Sequence, residues 1–374
     1  MDRIHTQDGA LRLQLRGDHR TMGHQHGVQV RGLLPLIDEA IRARLDEIGN
    51  YGCDEQFEAL VRRTHETLVA YSPTTIDFIR GQAQALAYDF ENLLRYDLAS
   101  YLLDDLRTRR AASAEGCTSW AATGSVTADG RSILAKNRDY RLAHLPLQVV
   151  SHVQPASGLR YVCVGSAGSP VVFCGGINEA GLAVTDTHVV STEIGPGLPD
   201  YALMMHLLEN HKAVSSGLGY LLSVPRLGRN NLVLADAQGE VAVFESGHRG
   251  HGLFGTTDGV LVTTNHRISP ALRHHFVDLN PRVVKGNSFH RYESASEALR
   301  AAYGQIDVAF AMRLMATHDG PLASICRHPL EGCDAATIAS CVFVPTERTL
   351  HFCHGLPCQG MYASFVCCQD GDEL

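Results

Sequence analysis

Two strand-like runs, Trp120 to Val126 and Ser132 to Ala135, flank the segment Ala128-Asp129-Gly130-Arg131. Asp-Gly between two such runs supplies the backbone angles that a tight antiparallel turn requires. Folding the chain there brings Gly116-Cys117-Thr118-Ser119-Trp120 beside Asn137-Arg138-Asp139-Tyr140, at one end of one hairpin. A thiol is thereby delivered next to a cation and a carboxylate. An arginine close by favours the thiolate, which is the nucleophilic form. The plain alternative is a buried structural cysteine, since most cysteines pack as small apolar groups.

The chain changes character at this point. Before it, Leu11 to Arg16 alternates as a half-exposed strand, and Gly17-Asp18 ends it. A helical pattern then runs from about Thr21 to Ile48, with Leu33, Leu34, Ile37, Ile41 and Leu45 on one face. Further helices are expected from Glu55 to Tyr71, Pro73 to Tyr88 and Glu91 to Leu106. Thr108 to Glu115 lacks periodicity and reads as an exposed linker. After Cys117, short strands are expected at Val149 to His152, Arg160 to Gly165, Val171 to Gly175, Leu182 to Asp186 and Val260 to Thr264. Hairpins are expected around Asp236 to Gly239 and over Thr337 to His354, with helices at Ala202 to Asn210, Ser294 to Tyr303 and Val308 to Thr317. Runs of strands and runs of helices, without βαβ alternation, indicate an α+β layered domain.

Composition excludes several functions. With 374 residues and 45% hydrophobic content, the chain can bury a sizeable core. A net charge of −8 without a long Lys/Arg run argues against nucleic acid or an anionic membrane as partner. No apolar run is long enough to span a bilayer, and Met1-Asp2-Arg3-Ile4-His5 lacks the apolar centre of a secretion signal, so a cytoplasmic location is expected. The 11 cysteines are odd in number and crowd the last fifth, at Cys326, Cys333, Cys341, Cys353, Cys358, Cys367 and Cys368. None forms a Cys-x-x-Cys pair, so reduced thiols are expected, with no metal and no cofactor.

Six short motifs stand in a characteristic order: Met22-Gly23-His24-Gln25-His26-Gly27, Gly116-Cys117-Thr118, Asn137-Arg138-Asp139, Gly176-Ile177-Asn178-Glu179-Ala180-Gly181-Leu182, Thr264-Asn265-His266 and Ser324-Ile325-Cys326-Arg327-His328. Together they resemble the isopenicillin N acyltransferase family, a group of self-cleaving N-terminal-nucleophile (Ntn) hydrolases, over most of the chain. The resemblance implies a four-layer αββα sandwich and a precursor that cuts itself between Gly116 and Cys117. Residues 1–116 would form a mainly helical first subunit, and residues 117–374 the catalytic second. Cys117 would attack the carbonyl of a small-molecule amide or acyl donor, acyl-thioesters included, and carry the acyl group as a thioester. Asp139 would orient the new α-amino group. Arg327 would lower the thiol pKa or hold a substrate carboxylate. Asn265 would donate to the oxyanion. His188 stands near where the related bile-salt hydrolases carry an asparagine that serves the oxyanion, and with Thr118 it is expected at the oxyanion site or the pocket. Arg138 departs from a relative's aromatic residue and reads as facing solvent.

Each assignment has a plainer counterpart: a surface carboxylate for Asp139, a surface ion pair for Arg327, a strand-end cap for Asn265. Gly116 suits a cleavage junction because glycine tolerates unusual backbone angles and leaves its carbonyl open. Two other functions stay open: a papain-like hydrolase using Cys117, His266 and an asparagine without self-cleavage, and a non-catalytic binding protein on the same fold. Oligomeric state is not legible.

Overall fold

The computed structural model describes residues 10–52, 55–107, 116–277, 288–318, 325–329 and 334–367. Strand β1 (Leu11–Gly17) buries Leu11, Leu13 and Leu15 on one side, as its alternation requires. Helix α1 (His19–Gln29) starts at Asp18, whose carboxylate accepts the Thr21 backbone N–H at 2.7 Å. The helix expected from Thr21 to Ile48 is two helices. A 3-10 turn at Arg31–Leu33 separates α1 from α2 (Leu34–Tyr51), which restarts with Pro35 in its first turn. Proline is well placed there, because its missing N–H has no helical partner in any case.

Then come α3 (Glu55–Tyr71), α4 (Pro73–Leu86), α5 (Phe90–Asp97) and α6 (Ala99–Arg107). The expected linker at 108–115 lies outside the described residues. The Met22-Gly23 to Gly27 motif has a packing cause. A β-carbon on Gly23 would stand 1.9 Å from the Phe78 carbonyl oxygen, and one on Gly81 2.0 Å from that of Arg20. Only glycine at both positions lets the α1 and α4 backbones touch.

The remainder runs β2 (Gly116–Gly124), β3 (Gly130–Arg141), β4 (Gln148–Pro155), β5 (Tyr161–Ser166), β6 (Gly175–Asn178), β7 (Ala183–His188), α7 (Asp200–Asn210), α8 (Val214–Ser223), β8 (Asn230–Ala235), β9 (Val241–Ser246), β10 (His251–Thr256) and β11 (Gly259–Thr263). It closes with α9 (Ser288–Ala301), α10 (Val308–Met315), β12 (Ala335–Val344), β13 (Thr349–His354) and β14 (Ala363–Val366). Val171 to Cys174 are not the strand expected. Phe173 and Cys174 both donate to the Val164 carbonyl, while Val171 and Val172 pack into the helical layer. A short apolar run looks the same in sequence whether it pairs in a ladder or lines a buried loop.

Eight strands form one sheet in the order β1-β4-β5-β6-β7-β8-β9-β10, and six form another in the order β11-β2-β3-β12-β13-β14. The pairing of β1 with β4 is parallel, which ties the first segment of the chain into the larger sheet. Three cores define four layers. Helices α1 to α8 cover one face of the large sheet through residues such as Phe57, Phe78, Leu208 and Tyr161. The two sheets meet over Ala121, Leu134, Val164, Ile177 and Phe343. Helices α9 and α10 cover the small sheet through Trp120, Leu299, Leu314 and Met315. The architecture is therefore α+β, an αββα sandwich. Among the described residues, no helix is long and apolar enough to cross a membrane.

Candidate active site

The β2–β3 hairpin sets the site. Its register places Gly116 opposite Asp139, Cys117 opposite Arg138, Thr118 opposite Asn137 and Ser119 opposite Lys136. Facing residues of an antiparallel pair share a face, and neighbours along a strand alternate. The Ser119 hydroxyl lies 2.8 Å from Thr185 Oγ1 on β7, so Cys117, Ser119, Lys136 and Arg138 face the gap between the sheets. Asn137 Nδ2 donates to the Met315 and Ile325 carbonyls at 2.8 and 3.0 Å, so Gly116, Thr118, Asn137 and Asp139 face the α9–α10 layer. The thiol and the Asp139 carboxylate thus leave opposite faces of one sheet edge.

The Cys117 backbone is held on both sides. Its N–H donates to Asn265 Oδ1 at 2.9 Å, and its carbonyl accepts from Arg291 Nη1. Arg291 also donates to Thr118 Oγ1 at 2.9 Å and to Asn265 Oδ1 at 2.5 Å. Asn265 follows the end of β11, and its own Nδ2 donates to the His188 backbone carbonyl at 2.7 Å. Thr118 therefore contacts Arg291 through its hydroxyl, and His188 contacts Asn265 through its carbonyl. The His188 ring lies against Tyr101, with 6.1 Å between centroids.

Asp139 sits on the other side of the junction. Its Oδ1 accepts from Thr337 Oγ1 at 2.7 Å, and Arg327 Nη1 stands 4.0 Å from Oδ2. Among the described residues Oδ2 accepts no hydrogen bond, although it is buried. The Arg327 backbone is fixed to β12 in both directions, donating to Thr337 Oγ1 at 2.8 Å and accepting from the Thr337 N–H at 2.9 Å. Burial pushes the Asp139 carboxyl above its ordinary pKa, and Arg327, Arg291 and Thr337 only partly pull it back. Burial likewise lowers the Arg291 guanidinium to about 10.

The thiol side differs from the expectation. Cys117 shares a cleft with Tyr101, Lys136, Arg138, Phe173, Asp186 and His188. Burial pushes its thiol up to about 11; the nearby Lys136 opposes this, while Asp186 and Asp139 add to it. The cation that acts on the thiol is thus Lys136, and in the intact chain it does not outweigh desolvation. Burial alone would lower the Lys136 ammonium, but the Asp186 carboxylate that it pairs with holds it above its ordinary value. Asn230 Nδ2 steadies that carboxylate at 2.8 Å. Arg138 does not face solvent. It is 5% exposed, lies between the rings of Tyr140 and Phe173 at 5.0 and 5.1 Å, and donates to Gln148 Oε1 at 3.2 Å.

His266 belongs to a different environment. Its Nδ1 lies 2.7 Å from Ser288 Oγ, its ring stacks on Phe289 at 4.1 Å, and burial beside Arg291 lowers it to about 4. It lines a separate cavity with Val243, Phe254 and Tyr292. The papain-like pairing of Cys117 with His266 is not formed.

Arg291 and Lys136 are site residues that the sequence expectations do not include. The expected helix begins at Ser294, six residues after the true start of α9 at Ser288 and three beyond Arg291. A signal was present: Arg291, Ala295 and Leu299 fall at i, i+4 and i+8 on the buried stripe of α9, where an arginine is out of place.

Residues 126–359 match the family profile described as acyl-coenzyme A:6-aminopenicillanic acid acyl-transferase. The match begins just after β2, so it does not include Cys117. A mutant of conjugated bile acid hydrolase from Clostridium perfringens is 13% identical, with 67% of this chain and 92% of that chain covered and a TM-score of 0.46. Another variant of the same hydrolase is 12% identical, with 67% and 92% covered and a TM-score of 0.48. Penicillin V acylase from Agrobacterium tumefaciens is 15% identical, with 63% and 82% covered and a TM-score of 0.42. No curated protein matches the chain.

Proposed function

This chain belongs to the acyl-coenzyme A:6-aminopenicillanic acid acyl-transferase family, and from that premise we propose a self-cleaving Ntn amidohydrolase or N-acyltransferase with Cys117 as nucleophile. The observation that carries the reading is the bond from the Cys117 backbone N–H to Asn265 Oδ1, 2.9 Å long, at a glycine–cysteine junction lodged between Arg291 and Arg327. That nitrogen is the atom which cleavage would turn into the α-amino group.

In the precursor, the Cys117 sulfur adds to the Gly116 carbonyl carbon, and the thiol proton passes to the departing Cys117 nitrogen. The peptide bond becomes a thioester to Cys117 Sγ. Water then cleaves the thioester, leaving a carboxyl on Gly116 and a free thiol and amine on Cys117. The role of accepting from the charged amine is assigned to Asp139 Oδ2, which is buried and accepts no hydrogen bond among the described residues. A terminal amine titrates near 7.7–8.0 and a thiol near 8.5, so the amine can take the thiol proton close to neutral pH.

In turnover the same sulfur attacks the acyl carbon of a small-molecule amide or thioester, the amine or thiol leaves with a proton from the α-amine, and an acyl-cysteine remains. Water or an acceptor amine then completes the cycle. An amide side chain has two N–H donors; His188 takes one from Asn265, and the other is assigned to the developing oxyanion. His188 and Thr118 act as positioning residues for Asn265 and Arg291. The cleft walls of Tyr101 and Phe173 suit a compact acyl group better than an extended peptide. Incubation of processed enzyme with N-acyl amino acids and acyl-thioesters, with and without hydroxylamine, tests this. Hydroxamate formation from a small donor supports it, and cleavage of long peptides alone contradicts it.

A further inference from the structure

Three ligating side chains far apart in sequence meet beside the small sheet, His318 beyond α10, His328 ahead of β12 and Cys358 between β13 and β14, with Cys326 next to Cys358. His328 Nε2 lies 3.1 Å from Cys358 Sγ, and Cys326 Sγ lies 3.6 Å from the same sulfur. One ligand atom each from His318, His328 and Cys358 falls within 4.8 Å of the other two. The sulfur–sulfur spacing suits a shared cation. Two thiolates on a tetrahedral zinc, with Zn–S near 2.3 Å, stand about 3.8 Å apart, close to the 3.6 Å between Cys326 and Cys358. His318 Nδ1 lies 3.2 Å from the Ala316 carbonyl oxygen, the kind of backbone contact that fixes the orientation of a metal-binding imidazole.

We propose that His318, His328 and Cys358 bind one zinc-class divalent cation, and that Cys326, which stands beside Cys358 and outside that triad, swings in as the fourth ligand of a tetrahedral site of two thiolates and two imidazoles. Binding releases the two thiol protons to solvent and oxidises nothing. Four protein ligands leave no open position, which makes the site structural. Sequence spacing could not reveal it, because the ligands come from three segments and only His328 and Cys326 are neighbours. The site also has a mechanical consequence. Arg327 lies between two ligands, so the cation clamps the segment that sets its guanidinium beside Asp139 and Gly116. That consequence rests on the role proposed for Arg327; the cation site does not.

The test is anaerobic titration of the freshly reduced, metal-stripped full-length protein with cobalt(II), followed by elemental analysis after zinc loading. A single bound equivalent is expected, with a thiolate-to-cobalt charge-transfer band and the visible bands of tetrahedral cobalt. His318→Ala removes an exposed side chain and Cys358→Ser a half-exposed one, so both variants keep the fold by circular dichroism. Each should weaken binding by about tenfold or more. Absence of the charge-transfer band in the wild type, or unchanged cobalt binding in the double variant, would overturn the site. Chain cleavage is read separately by mass, so failure of the cation site and failure of the cleavage account give different results.

Discussion

Gly116 faces Asp139 across the β2–β3 ladder so closely that a methyl group on Gly116 would stand 3.1 Å from Asp139 Oδ2 and 2.7 Å from Arg327 Nη1. The nearest atom is the far end of a flexible side chain, so alanine can be accommodated by swinging Arg327 aside. Gly116→Ala should therefore fold, with little change in melting temperature, yet process itself about a hundredfold more slowly, the scale of loss from misplacement near an ångström. A time course on denaturing gels checks this. Wild-type processing in Gly116→Ala would show that the Arg327–Asp139 arrangement is not used.

Asp139→Asn keeps a partner for Thr337 but removes the charge that would hold the new amine. Turnover by any processed protein should fall about a hundredfold or more, on the scale of losing one aligned electrostatic group. The circular dichroism spectrum should be unchanged. Full turnover in a well-folded Asp139→Asn protein would remove Asp139 from the site.

Arg291 spreads one guanidinium over the Cys117 carbonyl, Thr118 Oγ1 and Asn265 Oδ1. A lysine offers its three N–H donors from one nitrogen on a flexible stem and cannot spread across three acceptors as the planar guanidinium does. Arg291→Lys should lose most processing, while a surface control such as Arg300→Lys should not. Equal processing in the two variants would reduce Arg291 to a packing residue.

The hairpin was legible from Asp129-Gly130 between two strand-like runs, which brings Cys117 to the same end as Asn137-Arg138-Asp139. The loop itself is Ser125 to Asp129, not a two-residue turn. The register was not legible, because β2 is buried on both faces and a bulge between Ala122 and Gly124 resets the pairing. The helices α3, α4, α7 and α10 were legible from apolar periodicity, caps and proline positions. The order of four layers followed from the resemblance, because no strand pattern states which sheet lies on which. Lys136 was not legible as a site residue, because a lone lysine in a strand reads as a solvated charge; Arg291 carried only the signal of its place on the apolar stripe of α9, and the tertiary contacts that bury both are not written in the sequence. The acid–base state of Cys117 departs from the sequence expectation for a related reason. The sequence shows that cations are near, but not that burial outweighs them.

That burial predicts a pH dependence. With its thiol at about 11 against an ordinary 9.0, Cys117 in the still-uncut fraction of Gly116→Ala carries about a hundredfold less thiolate at pH 8 than an ordinary cysteine. Iodoacetamide labelling of Cys117, mapped by mass spectrometry, should be slow at pH 8 and still rising between pH 9 and 11. In the processed wild type the same cysteine should label readily near neutral pH. Fast labelling of the intact chain at pH 7 would contradict the desolvated thiol.

The proposed self-cleavage makes Cys117 a chain terminus. Intact-mass spectrometry with N-terminal sequencing of the purified wild type, beside Cys117→Ala, measures that directly. The account predicts two wild-type fragments divided between Gly116 and Cys117, with cysteine as the first residue of the larger, and a single uncut chain for Cys117→Ala. A wild-type protein that turns over small amides while its mass remains that of the uncut chain would contradict it.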